Sequence, residues 1–484
     1  YLLWNLVSRD FKLKYRRSVL GVVWSVLNPL LMCLVYWAVF SSLMDMRGSG
    51  IDNFPVFLMC GQLLFNFFNE ATSTSMSSVL GAASLLKKVY IPKYVFPLEK
   101  CCFAMVNCVF SFVALALACP AFRWPFGGKL DKAVFNRATS IYLPEATHHM
   151  LPEALGAGAY SLLAQKTRPS LLIECTVGAD GLVAACEPRV GYARLAANLC
   201  YEDCETALDG GESPASPYLE QLRQALELAR AHQERRIEKG AVIIERPDIT
   251  INLEGAGENI TVSLDEDPLA PKAHLLVSEL MVLTNAALAA WAKEHGVTLL
   301  HRTQDVAIPK EFSGIWQTPL EIARVVKALA PAVLETNPRP HAGLGEAMYA
   351  PSTSPLRRYP DMINETQIIS LLRDGKPRWS KEELDTLLPL LNAHLDAAGQ
   401  VQRFRPRYWK LLYFKQQGDR WWPAVITDEN DAFVTANMPK EQMIVRARRQ
   451  FFGERTHPGQ ELEIRLGKVH PLQNDFQLLE TREI

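Results

Sequence analysis

At residues 348–362 the chain reads Met348-Tyr349-Ala350-Pro351-Ser352-Thr353-Ser354-Pro355-Leu356-Arg357-Arg358-Tyr359-Pro360-Asp361-Met362. Two adjacent arginines beside an aromatic side chain suit a site that handles phosphodiesters. A guanidinium binds phosphate through two parallel hydrogen bonds and balances its negative charge. The chemistry alone leaves one alternative open, which is an arginine pair with a purely structural role at the start of a helix.

This stretch strongly resembles the Ser-Pro-Ile-Arg-Arg-Tyr-Pro-Asp signature of the RNase II and RNase R family of 3′-to-5′ exoribonucleases. Other segments resemble the same catalytic domain, in the same order and with the same spacing. They are Ala138–Pro144, Met150–Leu155, Ser161-Leu162, Arg168, Glu279–Met281, Asn285-Ala286 and Arg407–Leu411. The resemblance implies a protein that acts on or binds single-stranded RNA.

Residue by residue, the resemblance implies that Arg357 is the catalytic arginine and that Arg358 and Tyr359 support the RNA channel. Glu279 matches a channel carboxylate, and Tyr142 matches a tyrosine that contacts bases near the active site. Stacking on an aromatic ring is worth about 1–3 kcal/mol per base and tolerates any sequence, as a processive nuclease requires. For Tyr142 an ordinary core position is an equally open alternative.

The family also implies Mg²⁺, held by a cluster of aspartates just before the region that resembles Leu115–Trp124. Metal-assisted cleavage needs such clustered carboxylates to hold the ions that activate water. Residues 101–118 contain no acidic residue, and Glu99 is isolated. The acidic run at 265–267 is predicted to be a solvated loop. The sequence therefore predicts that the ligands for Mg²⁺ are missing and that the chain has no metal site.

Two smaller departures from the family pattern lie in and after the arginine motif. Leu356 replaces the usual isoleucine, and Asn364-Glu365 stands where the family often has a histidine. Glu365 removes a potential phosphate contact.

Between these motifs the sequence alternates strands and helices, which predicts an α+β domain. The predicted elements are a hairpin at 173–177 and 182–186, strands at 249–253 and 260–264, and helices at 216–240 and 271–295. Gly178-Ala179-Asp180-Gly181 supplies the hairpin turn. Ser216 followed by Pro217 is typical of a helix start, and Gly240 of a helix end.

The C-terminal residues form short predicted strands at 422–426, 432–436, 444–447 and 462–466, with turns between them. They resemble the five-stranded OB barrel that closes this nuclease family. Arg446, Arg448 and Arg449, beside Phe451 and Phe452, are a candidate RNA face, and a charged strand rim is the alternative.

An earlier basic run at 403–409 interleaves arginines with Phe404, Tyr408 and Trp409. It predicts either the lining of an RNA path or the packing of Tyr408 and Trp409 into the core.

The first quarter of the chain differs in composition from the rest. Residues 1–119 hold ten Lys and Arg against five Asp and Glu, and the remainder holds 41 against 47, which gives the net charge of -1 over 484 residues. Residues 18–44 carry no charge and exceed the about 20 residues that cross a bilayer as a helix. Uncharged stretches at 53–69 and 101–122 predict further spans. The basic residues before the first span and between the later two place those segments in the cytoplasm.

Four N-terminal segments resemble the start of an ABC-type polysaccharide or polyol-phosphate export permease. They are Trp4–Ser18, Leu20–Trp24, Asn28–Leu30 and Leu86–Lys93. In that family the complete subunit has six spans and pairs with a separate ATPase, so half of the subunit is missing here. The resemblance implies membrane insertion more than transport. A start at Tyr1 rather than Met also predicts a fragment of a longer protein.

The sequence thus predicts a composite fold: a truncated all-α membrane segment of two to three spans at 1–112, an α+β RNB-like catalytic domain at 114–400 without its Asp cluster, and a C-terminal OB-fold β-barrel at 401–484. Gene fusion and sequence assembly both explain a joint near 112–119.

Three complete spans that start from a cytoplasmic N-terminus would leave the nuclease part outside the cell. We therefore expect Val113–Ala118 to be a strand of the catalytic domain.

The expected function is an RNase II/R-like 3′-to-5′ exoribonuclease body that acts on or binds single-stranded RNA and is catalytically impaired. The alternative is the membrane subunit of an ABC-type polysaccharide exporter with a soluble appendage. Expected partners are single-stranded RNA, the membrane through residues 18–112 and, if the permease part is functional, an ABC ATPase subunit. The nuclease-like part is expected in the cytoplasm, and at the inner membrane if the N-terminal segment inserts. Six of the ten cysteines lie in the apolar first quarter and the other four lack metal-ligand spacing, which indicates neither a disulfide framework nor a zinc site and predicts reduced thiols.

Overall fold

The computed structural model describes residues 65–76, 78, 94–102, 104–105, 126–267, 270–453 and 456–483. The chain divides into two compact units, Tyr1–Ala133 and Val134–Ile484. Several predicted features lie wholly or largely outside the described residues. They are the basic segment at 4–18, the spans at 18–44, 53–69 and 101–122, and the strand at 113–118.

In the first unit, residues 65–76 and 94–102 are helical. Ser75 Oγ donates a hydrogen bond to the carbonyl oxygen of Pro97 at 3.1 Å, which ties the two helical segments together. Glu99 is buried, and its carboxylate lies 3.2 Å from Lys100 Nζ. Glu99, the acidic residue nearest in sequence to the segment where the family has its aspartates, is therefore paired with a lysine.

From residue 126 onward the described chain has an α+β fold. Its helices are α1 Lys129–Arg137, α2 Tyr201–Leu208, α3 Leu219–Glu238, α4 Pro271–Glu294, α5 Pro319–Ala328, α6 Tyr359–Asp374 and α7 Lys381–Gln417. The first ten strands are β1 Ile141–Tyr142, β2 Thr147–His148, β3 Thr167–Val177, β4 Val183–Arg194, β5 Val242–Ile244, β6 Ile249–Glu254, β7 Thr261–Glu266, β8 His301–Thr303, β9 Gly314–Trp316 and β10 Val333–Glu335. They form two-stranded sheets, of which β5 with β9 is parallel and the others are antiparallel.

The predicted local elements are present, with two corrections. The hairpin, the strand pair β6–β7 and the helix α4 lie where the sequence placed them. Ser216 does not cap α3, because its hydroxyl accepts a hydrogen bond from the backbone of Ser213 and a short 3₁₀ turn precedes the helix. Asp265 is not in a loop. It lies on β7, where Asn252 Nδ2 donates to its carboxylate across the strand pair.

Helix α4 forms the core of this domain. Leu288, Ala292 and Trp291 pack with Leu299 and with Ile368 of α6, and the hairpin β3–β4 covers this cluster. Within the part of the chain that the structure describes, α4 is the only helix long and apolar enough to cross a membrane. More than half of its most apolar stretch is buried in the fold, as is usual for a core helix.

The last five strands form one antiparallel sheet in the order β13-β12-β11-β14-β15. They are β11 Trp421–Glu429, β12 Phe433–Met438, β13 Met443–Arg448, β14 Glu461–His470 and β15 Asp475–Glu483. Irregular register between Ile426 and Asp428 and between Arg465 and Leu466 lets the sheet curl. The two edge strands β13 and β15 do not pair with each other in the described residues. The sheet is therefore a curled half-barrel, which fits the predicted OB-type barrel in its five strands and its curl but does not close within the described residues.

Helix α7 joins the two parts of the fold. It is 37 residues long and passes through residue 400, where the sequence placed a domain boundary. It begins with a capping box in which Ser380 Oγ accepts from the Glu383 backbone and the Glu383 carboxylate accepts from the Ser380 backbone. Near its other end, Leu411 and Phe414 are buried against the concave face of the half-barrel.

Candidate nucleic-acid interface

The loop that carries the arginine motif is held by two buried amide side chains. Asn285 of α4 accepts a hydrogen bond from the Ser352 backbone at 2.8 Å and donates to the Tyr349 hydroxyl at 3.0 Å. Asn364 of α6 donates to the carbonyl oxygens of Pro351 and Leu300 at 2.8 and 2.9 Å. The backbone before Arg357 is thus fixed from two helices. Asn364, which departs from the family pattern, has this structural role.

The Arg357 backbone is fixed on its other side by the segment before β1. Its carbonyl oxygen accepts from the Ser140 backbone at 2.9 Å and from Thr139 Oγ1 at 3.0 Å. The Tyr359 backbone donates to the carbonyl oxygen of Ala138 at 2.8 Å. The Arg357 side chain itself is exposed. The fold therefore presents a free-standing guanidinium on a rigid support.

Arg358 points to a different environment. Its Nη2 donates to Asp361 Oδ2 at 2.7 Å, and the Ser354 backbone donates to the same oxygen at 2.9 Å. Asp361 is fully buried, and burial raises the pKa of its carboxyl group although Arg358 opposes the shift. The Arg358 side chain is therefore held by an ion pair within the first turn of α6.

Glu365 lies one turn after Asp361 on α6. Burial raises the pKa of Glu365 to about 8, and the charge of Asp361 acts in the same direction. Near neutral pH this carboxyl group is mostly protonated, so it adds little negative charge beside Asp361.

The two tyrosines assigned to RNA contact differ in exposure. Tyr142 is 50% exposed on β1, two residues beyond Ser140, whose backbone donates to the Arg357 carbonyl oxygen. Tyr359 is 2% exposed, and its ring packs edge-on against Phe135 with centroids 5.2 Å apart. A base cannot stack on a buried ring, so Tyr359 supports the site from within the fold.

Glu279, which the resemblance matches to a channel carboxylate, is buried in the fold. It is 3% exposed and forms ion pairs with Arg236 and, at 2.7 Å, with His232 Nδ1. Burial opposes the ionisation of Glu279, but His232 and Arg236 lower its pKa. Burial also opposes the protonation of His232, but Glu279 and Glu346 raise its pKa. Arg236 Nε also donates to the carbonyl oxygen of Leu344. The cluster joins α3, α4 and the 342–346 turn.

The basic and aromatic run on α7 is anchored by one carboxylate. Glu145 accepts hydrogen bonds from Arg405 and, at 2.6 Å, from Trp409 Nε1. Trp409 is buried, and Arg405 lies over the rings of both Trp409 and Tyr408. Core packing therefore accounts for Trp409, while Phe404 remains exposed.

The convex face of the half-barrel carries a second exposed cationic group. Arg446 and Arg448 are exposed on β13, and Phe433 of β12 lies opposite Arg448. The Arg446 guanidinium carbon is 4.8 Å from the centre of the Phe433 ring. Arg449 pairs with Glu429 at 2.7 Å. Sequence reasoning missed Phe433, although the alternation of β12 would have placed it on this face.

The described residues do not fit the Mg²⁺ that the family implies. Among them, no three His, Cys, Asp or Glu side chains are grouped so that they could hold a metal ion. Residues 106–125, which come directly before residue 126 in the sequence, also contain neither Asp nor Glu.

Two family models match the chain. The model of the RNB domain matches residues 112–374, which is more than half of the chain. The model of ABC-2 type transporters matches residues 1–142.

Curated relatives are ribonucleases. An uncharacterized ribonuclease of Synechocystis is 25% identical over 358 residues, which cover 73% of this chain and 52% of that protein. Exoribonuclease 2 of Erwinia tasmaniensis is 28% identical over 307 residues, which cover 56% of this chain and 47% of the relative. The chain spans about half the length of the curated relatives it matches.

Solved structures share the fold. The Dss1 exoribonuclease of Candida glabrata, an active-site mutant, has a TM-score of 0.64 at 20% identity and covers 74% of this chain and 49% of its own. RNase R of Mycoplasma genitalium, solved with ribose-methylated single-stranded RNA, has a TM-score of 0.62 at 16% identity, with coverages of 74% and 65%. Yeast Ssd1, a pseudonuclease, has a TM-score of 0.52 at 15% identity, with coverages of 68% and 44%.

Proposed function

The chain belongs to the RNB family, and from this premise we propose that its folded body binds single-stranded RNA through Arg357 and Tyr142 without hydrolysing it. The observation that carries the proposal is the exposed Arg357 guanidinium on a backbone that Thr139 and Ser140 hold in place. A rigidly placed arginine loses little freedom when it binds a phosphate. RNase R, which shares the fold, was solved with single-stranded RNA bound.

The proposed roles follow from exposure. Arg357 binds a phosphate through paired hydrogen bonds, and the half-exposed Tyr142 stacks on a base. Arg446 and Arg448 extend the path along the half-barrel, where Phe433 offers a further stacking surface. Arg358, Tyr359 and Glu279 are positioning residues, because their side chains are engaged inside the fold.

The absence of hydrolysis is proposed from the chemistry of the available groups. Arg357 stabilises negative charge on a phosphate but does not activate water, which in this family requires carboxylates that hold Mg²⁺. Residues 101–125 supply no carboxylate, and the described residues gather no metal-binding group. The fold of yeast Ssd1, a pseudonuclease, supports a role in binding alone.

The test uses the full 484-residue chain in detergent, with 5′-labelled single-stranded RNA and either Mg²⁺ or Mn²⁺. We expect salt-dependent binding and an intact RNA after prolonged incubation. A second chain with an Asp-rich segment restored before residue 126 tests whether the missing carboxylates are the cause. Mononucleotide release by the unaltered chain, lost in Arg357→Ala, would show that other residues hold the metal and would overturn the proposal.

The match of residues 1–142 to ABC-2 type transporters favours a second and narrower proposal for the N-terminal part. Residues 18–112 insert into the inner membrane and hold the RNA-binding body on its cytoplasmic side, and an ABC ATPase subunit is the partner if the permease part is functional. Membrane fractions washed with alkaline carbonate test this. Release of the full chain by the wash would contradict insertion.

A further inference from the structure

The hairpin β3–β4 places two cysteines opposite each other. Its strands have eleven and twelve residues, and in their antiparallel register Cys175 is the direct partner of Cys186. Directly opposed Cα atoms in such a pair are about 4.5–5.5 Å apart. A disulfide spans Cα separations of about 4.4–6.8 Å, so the backbone already has the spacing that this bond needs.

The two thiols also influence each other's pKa. The neighbouring Cys186 thiol lowers the pKa of Cys175 although burial opposes the shift. The neighbouring Cys175, together with burial, raises the pKa of Cys186. Both side chains are half-buried, and Cys186 packs at the margin of the core cluster beside Leu171 and Ile173. Small oxidants can therefore reach the pair.

The hairpin is anchored on both sides of the pair. At its tip, Gly181 has a φ of +72°, and a Cβ atom there would lie 2.9 Å from the His232 backbone of α3. Asp180 lies 3.8 Å from Arg235 of the same helix. On the other side, Leu171 and Ile173 are packed into the core. The two sulfur atoms are thus held together by the fold and not by a flexible loop.

We propose that Cys175 and Cys186 are an oxidation site that forms a reversible disulfide by exchange with a low-molecular-weight disulfide of the glutathione type. The Cys175 thiolate attacks one sulfur of the oxidant, which forms a mixed disulfide and releases one small thiol. The Cys186 thiolate then attacks Cys175 Sγ, which forms the protein disulfide and releases the second small thiol. Two protein thiols lose two electrons, and their two protons leave on the released thiols.

The test incubates the reduced full chain with mixtures of reduced and oxidised glutathione, followed by alkylation and digestion with trypsin. Both cysteines fall in the single peptide Thr167–Arg189, because trypsin does not cleave the Arg168–Pro169 bond. The disulfide makes this peptide two hydrogen atoms lighter and leaves it without alkyl groups. Cys200 and Cys204, in the separate peptide Leu195–Arg223, report on the oxidation of unpaired thiols in the same sample.

We expect the Cys175–Cys186 disulfide to form at a glutathione ratio at which Cys200 is still mostly alkylated. An alkylated Thr167–Arg189 peptide under conditions that modify Cys200, or one that still carries glutathione at either cysteine once the mixture has reached equilibrium, would overturn the proposal.

Two variants test the order of the steps. In Cys186→Ser the resolving thiol is missing, so a glutathione adduct should persist on Cys175. In Cys175→Ser the adduct on Cys186 should form more slowly, because burial still raises the pKa of Cys186 and makes its thiolate scarcer. Circular dichroism confirms that both variants fold. Equal rates in the two variants would overturn the assignment of Cys175 as the attacking thiol.

Discussion

Arg357 and Arg446, two of the exposed arginines of this chain, are supported in different ways. The loop of Arg357 is fixed by the hydrogen bonds that its carbonyl oxygen accepts from Thr139 and Ser140 and by the buried amides Asn285 and Asn364. Arg446, on the half-barrel, is placed by the alternation of its strand and its contact with Phe433. Substitutions of the residues that hold the Arg357 loop should therefore alter both the free energy of unfolding and the affinity for RNA. Substitution of Arg446 should alter the affinity for RNA alone.

The largest effect is expected for Asn364→Ala. Asn364 makes three hydrogen bonds to buried backbone groups, and each group left without a partner costs about 1–3 kcal/mol. We expect the free energy of unfolding to fall by about 3 kcal/mol or more, as measured by urea denaturation.

The matched control is Asn437→Ala on β12. Asn437 Oδ1 makes no hydrogen bond to any residue that the structure describes, so this change should cost no more than about 0.5 kcal/mol. Equal losses of unfolding free energy in Asn364→Ala and Asn437→Ala would show that the arginine loop and the half-barrel are not supported differently.

The next effect is a dependence of stability on pH that arises at Glu365 of α6. The pKa of Glu365 is raised to about 8 in the folded chain, whereas an unfolded glutamate titrates near about 4.3. The folded chain binds the proton of Glu365 more tightly than the unfolded chain does. The contribution of this proton to the free energy of unfolding is therefore complete below about pH 4 and is lost as the pH rises towards about 8.

Glu365→Gln keeps the shape of the neutral carboxyl group and removes its titration. Urea midpoints from about pH 5 to pH 8 should fall less steeply in this variant than in the unaltered chain. Parallel profiles would show that Glu365 titrates normally.

A smaller effect is expected for Arg357→Ala, which removes a charge-assisted contact worth about 1.5–3 kcal/mol. This corresponds to binding of single-stranded RNA that is roughly tenfold to a hundredfold weaker, as measured by fluorescence anisotropy. Arg357→Lys should recover only part of the loss, because lysine cannot make the paired contact. Arg223→Ala, at an exposed position of α3, controls for net charge and should bind as the unaltered chain does.

The smallest effect is expected for Arg446→Ala. We expect the slope of log affinity against log salt to fall by about one, with the free energy of unfolding changed by no more than about 0.5 kcal/mol. An unchanged slope would remove the half-barrel face from the RNA path.

Local elements were predictable because their signals lie within a few residues of one another. The glycine-rich turn at 178–181 and the alternation in β6 and β7 each predicted a structure that is present. The fifth strand of the half-barrel, Asp475–Glu483, was missed because charged residues interrupt its apolar alternation. The predicted OB-type barrel is present as a curled half-barrel, and how near its two edge strands come depends on tertiary packing, which no single strand encodes.

The candidate site was only partly predictable. The motif named Arg357, and its exposure fits that assignment. The same motif gave no sign that Tyr359 is buried against Phe135, or that Glu279 is neutralised by Arg236 and His232. A carboxylate on a helix looks alike in sequence whether it faces water or a buried cation.

The sequence by itself determined the family, the arginine pair, the lack of acidic residues at 101–125, the helices α3 and α4, the strand pairs β3–β4 and β6–β7 and four strands of the half-barrel, because composition and short-range pattern carry that information. The tertiary structure alone decided which charges are exposed and which cysteines meet. In the hairpin, the pairing register shifts by one residue between Thr176 and Val177. Without this shift, Cys175 would pair with Ala185 and not with Cys186. A shift of one residue exchanges the two faces of a strand, and it is set by packing against the rest of the fold.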